Sequence, residues 1–157
     1  MKKILILTVI LFSVVFTGCK NVYEKYSSSE FSIEYPKAWA AEYDRRPTCP
    51  FVASNDNQIV VVNTREMSDI SVEDFAKSRV VAFSEEMEGF NLIKFDMEND
   101  YALIHYSSED EEIPDSYQET IMKIGKKGNK LYGVDCSFVN NAQKDTVEHI
   151  INSFQLK

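Results

Sequence analysis

Two histidines, His105 and His149, are all the imidazole this 157-residue chain offers for acid–base work near neutral pH. His105 alternates with Tyr101 and Leu103 in a strand-like run, the setting of a packed, hydrogen-bonded ring. His149 falls off the apolar stripe of a closing helix, where it meets solvent. No His-Glu-x-x-His, Gly-x-Ser-x-Gly, Walker loop or dinucleotide fingerprint occurs. These residues point to a protein that is not an enzyme and needs no cofactor.

The densest charge run is Glu109, Asp110, Glu111 and Glu112, with Asp115 close by. Carboxylates are the hard oxygen ligands that calcium takes, and a solvated, self-repelling loop is the plainer reading of the same residues. Asp96-x-Glu98-x-Asp100 has the acid spacing of a calcium loop, but Tyr101 stands where that loop needs glycine, so a hairpin turn explains it better. No metal ligand set is assigned. Arg45-Arg46, beside Pro47, can receive an acidic partner, and Trp39 is either a stacking surface or a lid on the end of the core. Trp39, Arg45, Arg46 and Glu109 to Glu112 together are the candidate partner surface. Cys49 and Cys136 are either a disulfide or two separate thiols. Export favours the first, and the place of Cys136 among Val134 and Phe138 on the apolar side of a strand favours the second.

The elements that must position these groups are readable from periodicity. Phe31 to Tyr35 alternates as a strand closed by Pro36; Ala40 to Asp44 and Phe51 to Ser54 are weaker strands, and Gln58 to Thr64 is a β-branched one. Ser71 caps a helix with Asp74 three residues on, Ile70 and Phe75 sit at the staple positions, and Gly89 stops it. Two hairpins follow, turning at Glu98-Asn99-Asp100 and at Lys127-Gly128-Asn129. A last helix, from about Ala142 to Asn152, turns Val147, Ile150, Ile151 and Phe154 to one side. Strands, helix, four strands and helix make an α+β domain, an antiparallel β-sheet flanked by helices.

Upstream, Met1-Lys2-Lys3 is a basic start and Ile4 to Phe16 is uncharged, the layout of an export signal. Such a stretch reaches only about 20 Å as a helix, short of the roughly 30 Å hydrocarbon core of a membrane. Phe16-Thr17-Gly18-Cys19 resembles the lipobox of bacterial lipoproteins, with Phe16 where that family usually carries Leu. The resemblance implies cleavage before Cys19 and acylation (palmitate and related chains) of that cysteine, which then anchors the chain in a membrane. Lys20, not Asp, follows, so the destination is the outer membrane if the host is Gram-negative. The expected division is a lipoprotein signal peptide at 1–18, the lipidated cysteine and a tether at 19–30, and a single α+β domain at 31–157. Within the tether, Tyr23 and Tyr26 are groups able to dock onto the domain.

Seventeen basic against 25 acidic side chains give a net charge of −8, and the signal removes two lysines and no acid. So acidic a surface repels phosphate backbones and excludes nucleic acid as a partner.

Phe31-Ser32-Ile33-Glu34-Tyr35-Pro36-Lys37-Ala38-Trp39 resembles the opening of the PsbP-like superfamily. The helix start Ile70 to Phe75, the hairpin from Phe90 to Tyr106 and the ending Ile151-Asn152-Ser153-Phe154 follow in the order of that superfamily. The resemblance implies docking onto a larger assembly and no shared reaction. The expectation is a lipid-anchored accessory or docking subunit for another envelope protein, with a small-ligand or calcium-binding lipoprotein as the alternative.

Overall fold

In the computed structural model, which describes residues 22–109, 117–139 and 143–157, the period-two segments are strands and the helix-periodic ones are helices. In chain order they are β1 (Tyr23–Ser27), β2 (Phe31–Pro36), β3 (Ala40–Arg46), β4 (Cys49–Asn55), β5 (Gln58–Glu66), α1 (Val72–Glu86) and β6 (Asn91–Glu98). After these come β7 (Tyr101–Glu109), β8 (Tyr117–Lys127), β9 (Lys130–Phe138), α2 (Lys144–Ser153) and β10 (Gln155–Leu156).

Two meanders make the main sheet. The first, β3-β4-β5, and the second, β9-β8-β7-β6, join at β5 and β9 into one seven-stranded antiparallel sheet. The join runs from Gln58 opposite Phe138 to Glu66 opposite Lys130. The second-meander hairpins turn on two residues each, Asn99-Asp100 and Gly128-Asn129, with Asn99 (φ 55°) and Gly128 (φ 58°) left-handed as tight hairpins require.

Because side chains alternate along each strand, the sheet sorts its residues into two cores. On one face, Phe51, Val60, Val62, Tyr132, Val134, Cys136 and Phe138 pack under α2 and a small sheet of β1, β2 and β10. On the other, Ala76 and Phe83 of α1 pack on Ala102, Ile104, Tyr106, Met122, Ile124 and Leu131. Helix α1 touches β6, β7 and β8 and makes no comparable contact with β4, β5 or β9. Its start is as expected: Asp74 donates its backbone N–H to the Ser71 hydroxyl at 3.0 Å.

Part of the expected tether is a strand. Residues 23–27 form β1, paired with β2 from Tyr23 opposite Pro36 to Ser27 opposite Ser32. Tyr23 stacks on His149 (3.9 Å between ring centres) and Tyr26 on Tyr43 and Phe51 (5.0 and 5.1 Å). Two aromatics three apart in a strand point to opposite sides, so no alternation marked this strand in the sequence. The signal peptide, Cys19 and the first tether residues lie outside the described residues.

Candidate functional site

Strand β9 turns Tyr132, Val134, Cys136 and Phe138 to the α2 core, which leaves Leu131, Gly133, Asp135 and Ser137 on the α1 face. There, beside the part of the sheet that α1 does not cover, lies a cleft of about 450 Å³. Its apolar lining is Phe75 from α1, Met122 and Ile124 from β8, and Leu131 from β9. Gly133 keeps it open, since a Cβ at that position would meet nothing within 4 Å. Asn63, Arg65, Arg79 and Asp135 supply the polar groups.

Asp135 is the unusual member. Its Oδ2 accepts a hydrogen bond from Asn63 Nδ2 at 3.1 Å, while its buried Oδ1 has no partner among the described residues. Burial pushes the carboxyl up to about 6, against the opposing pull of the Asn63 amide and the Arg79 guanidinium. Arg79 lies over the Phe83 ring, 4.4 Å from its centre, and closes no ion pair on Asp135 within 4.0 Å. Tyr106, whose pKa is raised mainly by burial, also senses the Asp135 charge. The arrangement can bind: it holds a buried acceptor, two guanidiniums and an apolar wall in one concavity.

The sequence reading did not single out this site. A signal was present, because Gly133, Asp135 and Ser137 form a small, acid-bearing face on a strand otherwise built for a core. Only β5 lying beside β9, however, brings Asn63 to Asp135.

The residues that were singled out lie elsewhere. His105 is 9 % exposed and bonds Glu119 at 2.7 Å, a packed imidazole as expected. His149 is not simply solvated, for its Nε2 is 3.0 Å from Glu34 Oε2 under the Tyr23 ring. Trp39, at 8 % exposure, belongs to the α2-side core. Cys49 and Cys136 are free thiols. Strand β5 separates β4 from β9, and Cys136 is level with Ala53, so the two are about 10 Å apart across the strands and about 13 Å along them. A disulfide needs Cα atoms within about 7 Å.

Arg45 and Arg46 are exposed at the β3–β4 turn, Arg45 lying 3.4 Å from Glu42. Trp39 does not share their end of the molecule. The register carries one rim of the sheet from Ala40 through Asn55, Gln58, Phe138 and Glu119 to Ser107, while Arg46 and the two-residue turns Asn99-Asp100 and Gly128-Asn129 lie on the opposite rim, about 20 Å away along β3. The Val22 carbonyl accepts from Lys37 N–H at 2.9 Å, so the described chain begins at the Trp39 rim. Glu109 ends β7 on that same rim, its backbone N–H bonded to the Glu88 carbonyl. Asp110, Glu111, Glu112 and Asp115 lie outside the described residues. Among those described, no three His, Cys, Asp or Glu side chains gather to hold a metal, and no helix is long and apolar enough to cross a membrane.

No family description matches the sequence. No curated protein matches it either. Solved structures do. Cyanobacterial PsbP (CyanoP) from Synechocystis sp. PCC 6803 is similar over 87% of this chain and 93% of its own, at a TM-score of 0.63 and 16% identity. LpqN of Mycobacterium tuberculosis, described as involved in cell envelope biogenesis, is similar over 81% and 83%, at 0.56 and 9%. The fold is therefore the PsbP-like α+β fold, antiparallel sheets with two helices in a single domain.

Proposed function

We propose that this chain is a non-enzymatic lipoprotein of a bacterial cell envelope, held by lipid on Cys19, whose PsbP-like domain is an accessory or docking subunit for another envelope protein. The observation that most supports this is the lipobox-like Phe16-Thr17-Gly18-Cys19 set directly before a PsbP-like fold. The involvement of LpqN in envelope biogenesis supports the same address. With β1 starting at Tyr23, only Lys20, Asn21 and Val22 separate the lipid from the domain, a reach of about 10 Å.

So short a spacer orients the domain. The rim holding Val22 and Glu109 turns toward the membrane, and Arg45, Arg46 and the two hairpin turns point away from it. Confinement to one membrane face raises the domain's effective concentration near a neighbour there. In a host with two membranes, Lys20 after the cysteine directs it to the outer one.

The test is photo-crosslinking in intact cells with a crosslinking residue at Arg46 or at Tyr117, in wild type and in Cys19→Ala. The expected result is one stoichiometric envelope protein captured from Arg46, not from Tyr117, and lost in Cys19→Ala. Capture of nothing from lipidated wild type would overturn the docking role, and capture from Tyr117 alone would overturn the orientation.

A further inference from the structure

Asp135 and Arg79 face one cleft with opposite charges, near enough for the guanidinium to lower the carboxyl's pKa and yet without a contact within 4.0 Å. We propose that the cleft between α1 and the β5–β9–β8 floor binds a free apolar α-amino acid, its ammonium on Asp135, its carboxylate on Arg79, and its side chain on Phe75, Met122, Ile124 and Leu131. This site is independent of the lipid anchor and of the docking role, so it stands or falls apart from them.

Three observations select that chemistry. Asp135 lines the cleft with its Oδ2 held by one donor, Asn63 Nδ2, and its carboxyl is desolvated there, so a ligand cation in the cleft offsets that cost. Arg65 and Arg79 repel a simple amine from the same cleft, whereas a carboxylate on the ligand offsets them. A simple carboxylic acid satisfies Arg79 but adds a second negative charge beside Asp135. Only a group carrying both charges a few ångströms apart answers both sides. The volume, about 450 Å³, is at the small end of the range for small-molecule sites and suits a leucine-sized body.

The charged and titratable groups facing Asp135 are Arg79 of α1 and Tyr106 of β7, with Arg65 of β5 farther along the same cleft, level with Leu131. The arginines stay protonated throughout, and Tyr106, raised from 10.0, stays neutral below pH 8. Affinity therefore follows Asp135 alone. It is full above about pH 6 and falls about tenfold per pH unit below it, as protonation removes the acceptor charge.

The experiment is calorimetric titration of the full-length protein in detergent with L-leucine, alongside isocaproate, which lacks the amine, and isoamylamine, which lacks the carboxylate. Leucine is expected to bind and both truncated probes to bind at least about tenfold more weakly, the loss expected for a charge-assisted hydrogen bond. Asp135→Asn and Arg79→Gln are each expected to weaken leucine about tenfold or more, with amide resonances of Asn63 and Gly133 shifting on titration of wild type only. Binding of isocaproate equal to that of leucine, no leucine binding by folded wild type, or an unchanged affinity at pH 5 would overturn the proposal.

Discussion

Lys123 Nζ lies 3.1 Å from the Phe154 carbonyl and 3.4 Å from that of Ile151, where α2 ends. Its ammonium also sits over the Tyr101 ring, 4.6 Å from the centre. A lysine on the core side of β8 is thus explained: it donates to the Phe154 carbonyl and to that of Ile151, which also accepts from Phe154 N–H, and it meets the negative end of the helix dipole. Burial lowers its pKa, the cost of holding the charge there.

Lys123→Met is therefore expected to destabilise the fold by about 1–3 kcal/mol, because the carbonyls lose a charged donor. Urea denaturation at pH 7 measures it. Equal or greater stability in the variant would mean that water replaces the ammonium.

Asp135 sets a second expectation, of opposite sign. Its folded pKa, about 6, is above the ordinary value of 3.8, so the native state binds more protons than the unfolded one between those values. Stability from this group therefore falls as pH rises from about 4 to about 6 and is level above. The full cost above pH 6 is at most about 3 kcal/mol. Asp135→Asn should raise the melting temperature at pH 7.5 and flatten the pH dependence between 4 and 6. A variant less stable than wild type at pH 7.5 would show that the charge is compensated.

Cys49 and Cys136 should react apart. Cys136 is fully buried and its pKa is pushed up to about 12 by burial, whereas Cys49 is half-buried near the β3–β4 turn. Native protein is expected to take up one equivalent of thiol reagent quickly, at Cys49, and the second only on unfolding. A Cys49–Cys136 peptide in a non-reducing digest would contradict the strand order between them.

Tyr26 tests whether residues 23–27 are part of the domain. Tyr26→Ala removes the stacks on Tyr43 and Phe51 and should cost about 2 kcal/mol, or about 4–8 °C in melting temperature. A loose tether would show no change.

Much of the fold was legible because it is written locally. The Ser71 cap, the two hairpin turns and the alternating faces of β7 and β9 each depend on residues within a few positions of one another. Strands β1 and β10 were not legible. In β1 the tyrosines three apart break the alternation, and β10 is two residues long and ordered only by its pairing with β2. Trp39 illustrates the same limit, because whether an indole is a lid or a surface depends on what lies beneath it.

By itself the sequence determined the α+β class, the two hairpins, the helix faces and the acidic balance, since these follow from composition and short-range period. Only the tertiary structure decided that β5 lies beside β9. That pairing puts Asn63 on Asp135, 72 positions apart, keeps Cys49 from Cys136, and forms the floor of the cleft that holds Asp135. Pairing between distant strands is set by the burial of whole faces, which no short window of residues contains.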